Sequence, residues 1–202
     1  MSGSWRRFHN LIVSGVLLVT LATLAAERCG WCSEENEHKI KGKYGMALSY
    51  GHSYRPLDEV AFALATVYGV YSVNDLLQIS ALELWRIKVE ASVGSAYMPD
   101  TRFMASFNLA AVYYLDKLFP GISKKYRPYF DFGGGGIYTD FQVEGQGLRI
   151  NFNPIASLGV EITPDSGPPY FIAVRWHHLS NCETKSENRG VNSLMFMVGR
   201  YF

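Results

Sequence analysis

The sequence has almost no charge bias. Nineteen Lys and Arg stand against eighteen Asp and Glu, a formal net charge of +1. A nucleic-acid binder carries a basic excess or a basic stripe, so that class is set aside. Charged residues are few, at 18%, against 48% hydrophobic and 14% aromatic. Such a composition excludes a disordered chain. No apolar run reaches the roughly 18 residues of a membrane-crossing helix, which excludes a helical bundle in lipid. A membrane β-barrel escapes that criterion, because its strands alternate. Only three cysteines are present, Cys29, Cys32 and Cys182, and their spacing suits no metal site. Cys29-Gly30-Trp31-Cys32 has the spacing of a redox motif without the strand-then-helix context. It reads as a small disulfide ring, or as nothing. The length of 202 residues suits one domain with a core that can close.

The first residues read as an address. Trp5, Arg6 and Arg7 precede an apolar stretch from Leu11 to Ala26, with small residues at Ala22, Thr23, Ala25 and Ala26. That is the layout of a secretory signal peptide, predicted over residues 1–26. No Cys follows the small residues directly, which argues against a lipoprotein signal. Residues 27–42 form a polar tail, and 43–202 the folded body.

Period-two alternation dominates that body. Tyr44, Met46, Leu48 and Tyr50 alternate with Gly45, Ala47, Ser49 and Gly51, and Phe62 and Leu64 with Ala61, Ala63 and Ala65. Ile87, Val89, Ala91 and Val93 alternate with Arg86, Lys88, Glu90 and Ser92. Phe103, Phe107, Leu109 and Tyr113 lie opposite Ser106 and Asn108. Leu148, Ile150, Phe152, Leu158 and Val160 lie opposite Arg149, Asn151, Asn153 and Glu161. The pattern predicts eight strands, at about 43–53, 60–71, 85–97, 102–115, 126–138, 148–162, 169–179 and 192–202, long enough to cross a bilayer when tilted. Turn chemistry at Met98 to Thr101, Glu144 to Gly147 and Thr163 to Pro168 separates them. Residues 72–84 read equally as a short helix or the start of a strand. Gly133 to Gly136 predict a bend or bulge.

One face of these strands is large and apolar, the other small or charged. In a membrane barrel the apolar face meets lipid and the other fills the lumen. The signal peptide and the strand lengths favour this arrangement over a soluble sandwich. Arg86, Lys88, Glu90, Arg149 and Glu161 then pair inside. Eight strands leave an interior that side chains can fill, so the expectation is a plugged cylinder. The fold class is all-β, an eight-stranded antiparallel transmembrane barrel.

The seventh strand carries the candidate chemistry. Tyr170, Ile172, Val174, Trp176, His178 and Ser180 share its apolar face, while Arg175 and His177 point inward. In the last strand Asn192 shares a face with Leu194, Phe196 and Val198. If the two strands pair as a hairpin, His178, Ser180 and Asn192 converge on the outer wall. Polar groups facing hydrocarbon are costly and mark function. A serine hydroxyl needs a base to become a nucleophile, a neutral histidine supplies one, and the histidine needs a partner to set its tautomer. The alternative is that both groups merely sit at the aqueous rim.

Arg175-x-x-His178-x-Ser180-Asn181, then Asn188-x-Gly190-x-Asn192, then the terminal Tyr201-Phe202 resemble the outer-membrane lipid A 3-O-deacylase family (PagL-type, related to acyloxyacyl hydrolases). The resemblance covers about the last 35 residues closely and is looser upstream. It implies an eight-stranded barrel with a serine-hydrolase site on its lipid-facing wall, acting on the 3-O-linked 3-hydroxyacyl chain of lipopolysaccharide. It implies His178 as base, Ser180 as nucleophile, and Asn181 and Asn188 at the oxyanion. One departure stands out: the family's glutamate, twelve residues after the serine, is Asn192 here. An amide can orient the ring but cannot supply a negative charge. Glu183 and Glu187 are the candidates for a relocated acid. Three outcomes stay open: a Ser-His-Asn enzyme, an enzyme with its acid elsewhere, and an inactive relative.

No cofactor or metal is implied. The expected partners are lipid A and outer-membrane lipid, not nucleic acid, and a homodimer stays open. The expected location is the bacterial outer membrane. With eight strands and a periplasmic N-terminus, the hairpin between strands seven and eight faces outward from the cell. Two rival readings remain: a non-catalytic barrel, and a secreted lipocalin-like carrier with Phe62, Ile87 and Phe152 inside.

Overall fold

The computed structural model describes residues 42–77, 83–115, 118–119 and 125–202. The signal peptide, the Cys29/Cys32 pair and most of the polar tail lie outside the described residues. The chain divides into two units, and the barrel is the second, Ile40–Phe202.

Among the described residues nine strands form it: β1 (Gly42–Arg55), β2 (Leu57–Ser72), β3 (Trp85–Met98), β4 (Arg102–Tyr114), β5 (Tyr126–Thr139), β6 (Ile150–Phe152), β7 (Ile155–Ile162), β8 (Tyr170–Leu179) and β9 (Val191–Tyr201). A short helix α1 (Val73–Leu77) follows β2, resolving part of the ambiguous stretch as helix; residues 78–82 lie outside the described ones. β6 and β7 are one stave. Gly136 pairs Phe152 and Gly133 pairs Ile155, so the register against β5 runs straight through. The assignment breaks only at Asn153-Pro154, where proline has no N–H to give the ladder. Eight staves therefore pair antiparallel in sequence order, and the β1–β9 and β4–β5 ladders complete the closed barrel. The expected strand ends hold to within two residues, except that β2 begins at Leu57.

The exterior is a lipid surface. Leu48 and Ile150 are 70% exposed and Leu158 67%, with Phe107, Phe132, Phe152, Val174, Leu194 and Phe196 around them, all exposed. A continuous apolar face of this kind is untenable in water and ordinary in a bilayer.

The lumen is filled in three layers. At the end that carries the last residues of the chain, Tyr68, Tyr114, Tyr129, Phe171 and Tyr201 pack together. At the opposite end, Val60, Phe62, Leu64, Met104, Ile137, Leu179 and Met195 do so. Between them lies a charge quartet. Lys88 Nζ is 2.6 Å from Asp131 and 3.0 Å from Glu90. The Arg175 guanidinium forks onto both Glu90 oxygens at 2.7 and 3.0 Å, donates from Nε to Ser157 Oγ at 2.8 Å and reaches Asp131 at 3.4 Å. Two positive and two negative groups thus pair in the buried lumen, with Asp131 Oδ1 left without a hydrogen-bond partner. Glu161 is also inside, held by Tyr114 at 2.7 Å and by Lys43 at 3.3 Å.

Three expectations are corrected. Arg149 does not pair inside; it meets Asp140 at 3.2 Å on the exposed rim. Among the described residues Arg86 forms no internal ion pair and donates instead to the carbonyls of Glu83 and Trp85. Phe62 and Leu64, placed by their size on the lipid face, are buried in the lumen at 1% and 4% exposure. The reason is complementarity between paired neighbouring staves. Gly51 of β1 faces inward without a side chain, and a Cβ there would run into the Phe62 ring. Large residues therefore enter where the neighbouring stave is bare. Phe152 is 51% exposed and Ile87 shares the outer register, so the lipocalin reading falls.

The four glycines of β5 keep an unbroken register with β4, Ala110 to Gly133 through Phe107 to Gly136. The expected bend or bulge is thus not a bulge in the β4–β5 ladder. A Cβ on Gly133 or Gly135 would run into the carbonyls of Leu109 and Phe107, which shows how crowded the concave side is. Irregular register lies elsewhere, around Ser53 of β1, between His52 and Tyr54 against β2 and between Ser53 and Arg55 against β9. The Ser53 hydroxyl accepts the backbone N–H groups of Glu59 and Val60 at 3.2 and 2.9 Å, which holds this irregularity in place.

Candidate active site

His178 and Asn192 are directly opposed in the β8–β9 ladder. Both side chains point to the outer wall, because inward positions on β8 are taken by Phe171, Ala173, Arg175, His177 and Leu179, all buried. The His178 Nδ1–H donates to Asn192 Oδ1 at 2.8 Å. That bond fixes the tautomer with the proton on Nδ1 and leaves Nε2 with its lone pair, the form a general base requires.

Ser180 lies two residues on, in the same register. Past the end of β8 its backbone still pairs with Phe152, N–H to O at 3.2 Å and O to N–H at 2.8 Å. Two residues of extended chain separate the Cα atoms of His178 and Ser180 by roughly 6.7 Å. Among the described residues no hydrogen bond joins Nε2 to Ser180 Oγ, so proton transfer requires a side-chain rotation. Resting hydrolase sites are commonly open in this way.

Directly after Ser180 the chain reverses. Cys182 and Glu183 both have left-handed backbone, at φ 49° and 62°, and Thr184 N–H returns to Asn181 O at 3.1 Å. This is a type I′ turn. It leaves the N–H of Cys182, its first central residue, outside the turn's own hydrogen bond. Cys182 itself is a free, exposed thiol.

The two asparagines have different places. Asn181 is buried at 1%, and both its donors are engaged: N–H to Asn188 Oδ1 at 2.8 Å and Nδ2 to Glu187 O at 2.7 Å. Asn188 is half-buried, commits its carbonyl oxygen to Asn181, and keeps its NH₂ as a donor. Glu183 and Glu187 are exposed, and neither carboxylate hydrogen-bonds to His178; the Glu187 carboxylate lies over Gly147.

Three features around the ring were not anticipated. Trp176 stacks on His178, with ring centroids 5.7 Å apart and planes 10° from parallel. The indole N–H donates to Tyr54 OH at 3.0 Å. Gly190 lies against the other side of the ring: a Cβ there would sit 2.7 Å from His178 Cε1 and 3.3 Å from Nε2. Trp176 shares the apolar register of His178, so its proximity follows from alternation. Tyr54 continues the outward register of Tyr44, Leu48 and Tyr50, just past the predicted end of the first strand, but its reach to Trp176 across β9 is a contact that alternation within one strand does not give.

A closed barrel of eight antiparallel staves, apolar outside and filled with paired charges inside, is an outer-membrane β-barrel, here with a histidine, a serine and an amide on the wall that faces lipid. The sequence profile of the family Lipid A 3-O-deacylase (PagL) matches residues 25–201. The chain belongs to that family, and its location is the bacterial outer membrane. Among solved structures it is similar to Neisserial surface protein A (NspA), at 12% identity and a TM-score of 0.59, covering 79% of this chain and 95% of that one. It is also similar to the outer membrane enzyme PagL, at 18% identity and a TM-score of 0.53, covering 77% of this chain and 97% of that one. At these identities the likeness concerns the fold. No curated protein sequence matches the chain.

Proposed function

We propose that this protein is a serine esterase that hydrolyses the 3-O-linked 3-hydroxyacyl chain of lipid A in the outer leaflet. Residues 1–26 act as the export signal, 27–42 as a tail, and 43–202 as the barrel. The observation that carries the reading is the His178 Nδ1 bond to Asn192 Oδ1 at 2.8 Å, beside Ser180 on the lipid-facing wall of a family member. A buried ester is useless to a site in the lumen. On the outer wall the acyl chains already lie against the barrel, so the substrate is presented without leaving the membrane. With the chain termini toward the periplasm, the β8–β9 hairpin meets the leaflet that holds lipopolysaccharide.

His178 Nε2 takes the proton of Ser180 Oγ as the oxygen attacks the ester carbonyl, and a tetrahedral oxyanion forms. The Asn188 NH₂ and the Cys182 N–H donate to it. Asn181 holds Asn188 in place through its own N–H. The sugar hydroxyl leaves with the proton from His178, and water then releases the acyl group from Ser180 by the same path in reverse. Asn192 keeps the ring in register throughout.

A second reading, a barrel without catalysis, is favoured by the neutral partner of His178 and the open His178–Ser180 pair. Expression in a Gram-negative host, with lipid A analysed by mass spectrometry, separates the two. Loss of one 3-hydroxyacyl group with the wild type but not with Ser180→Ala supports the esterase. An unchanged profile in both sinks it.

A further inference from the structure

During acyl transfer His178 becomes an imidazolium. In a Ser-His-acid site that cation faces a carboxylate, but here Nδ1 faces an amide oxygen. Across the ladder from Asn192 stands a cation, Arg55 of β1. The ring therefore has to find its stabilisation elsewhere, and the geometry shows one source. The Trp176 indole lies parallel to the imidazole within 10° at 5.7 Å. A cation within about 6 Å of an indole face is attracted by the negative π cloud, most strongly where water is excluded. The indole is itself held: its N–H donates to Tyr54 OH at 3.0 Å, so it cannot rotate away without losing that bond.

We propose that Trp176 is a positioning residue that stabilises the charged form of His178 through its π face, in place of the missing carboxylate, and that Tyr54 fixes the indole for this purpose. The inference rests on the esterase reading and deepens it. It makes Asn192 a workable residue where a lone amide would handicap the site. It also predicts that the two devices substitute for one another: a site with a carboxylate at 192 has little need of the stack.

The test is a double-mutant cycle on the full-length protein in outer membranes or detergent, read as kcat and KM for lipid A deacylation and as the labelling rate of Ser180 by a fluorophosphonate probe. Trp176→Leu is expected to lower kcat and labelling about tenfold with KM unchanged, as cation–π attraction of 1–2 kcal/mol implies. Trp176→Phe, which keeps an aromatic face, should retain activity to within about threefold, and Tyr54→Phe should show a small loss. In an Asn192→Asp background the Trp176→Leu loss should shrink below about threefold. An equal loss in both backgrounds overturns the proposal, as does a loss confined to KM. A heat-dependent gel shift verifies that each barrel is folded, and Trp176→Phe carries the test if the leucine variant is not. Labelling that depends on Trp176 in a protein that leaves lipid A intact overturns the lipid A reading alone. No labelling and no deacylation by the wild type overturn both.

Discussion

Asn192 Oδ1 meets His178 Nδ1 at 2.8 Å across the β8–β9 ladder, so an uncharged amide occupies the position from which a triad acid orients its histidine. Orientation and charge are separable here. Asn192→Asp is isosteric and puts a carboxylate at the same point, where a charge-assisted hydrogen bond is about twice as strong as a neutral one. It should raise kcat about tenfold. Asn192→Leu removes the acceptor and frees the tautomer, and should lower kcat by ~10² or more; the loss reaches ~10⁴ when the acid of a serine protease is changed to its amide and the histidine takes the wrong tautomer. Rates of lipid A deacylation by both variants decide the point, and an aspartate no faster than asparagine would mean that charge at 192 is irrelevant.

Gly190 sets the other wall of the ring. Its missing Cβ is the space in which His178 Cε1 and Nε2 lie. Gly190→Ala should displace the imidazole from Asn192 and cut kcat at least tenfold. The barrel should be untouched, because the position is a loop residue before β9. A variant with normal kcat would show that the ring has another productive position.

The relocated-acid alternative makes a clear contrast. Glu183 and Glu187 are exposed in the loop and make no hydrogen bond to His178. Glu183→Gln and Glu187→Gln should each leave kcat within about twofold of wild type. A drop of tenfold or more in either would assign that carboxylate to the site and demote Asn192.

Much of this architecture was legible from alternation alone. A strand shows its period through the sizes of its residues, and eight runs of Tyr44-to-Phe202 type gave the staves and the outward stripe of Trp176, His178 and Ser180. Size misled at Phe62 and Leu64, because alternation says that two faces differ but not which one is inside. That depended on Gly51 of β1, a neighbour in space. Asp131, central to the charge quartet, lay among aromatics and glycines and carried no pattern of its own. Arg175, read only as an inward member of a motif, proved to be the hub that binds β8 to β3 and β5. The Tyr54–Trp176 contact joins β1 to β8 across β9, a relation in space that the period of a single strand does not reveal.

The two loop asparagines should behave differently when changed. Asn188→Asp keeps the oxygen that accepts from the Asn181 N–H but replaces the donor proposed for the oxyanion with a negative charge. Removing one oxyanion donor typically costs 10²–10³ in kcat, and the added charge makes the upper figure the expected one. Asn181→Ala leaves that donor in place but removes the Nδ2 bond to Glu187 O. It should give a smaller loss that grows with temperature as the loop loosens. Activity measured across a temperature series separates them; identical profiles would place both residues in one role.

Arg175 tests the scaffold without touching the outer wall. Its guanidinium is the shared partner of Glu90, Asp131 and Ser157, all buried. Arg175→Met fills similar volume but leaves two buried carboxylates to Lys88 alone. Breaking a buried ion pair from one side costs about 3–5 kcal/mol, because the remaining charge keeps its desolvation penalty without its partner. The unfolding midpoint in urea, followed in lipid vesicles by tryptophan fluorescence, should fall accordingly. Ser157→Ala loses one hydrogen bond and should cost only about 1 kcal/mol. The double variant Arg175→Met with Glu90→Gln should recover part of the loss, since it removes one of the stranded charges. If Arg175→Met unfolds with Ser157→Ala instead, the quartet is incidental and the two aromatic and aliphatic plugs alone hold the lumen.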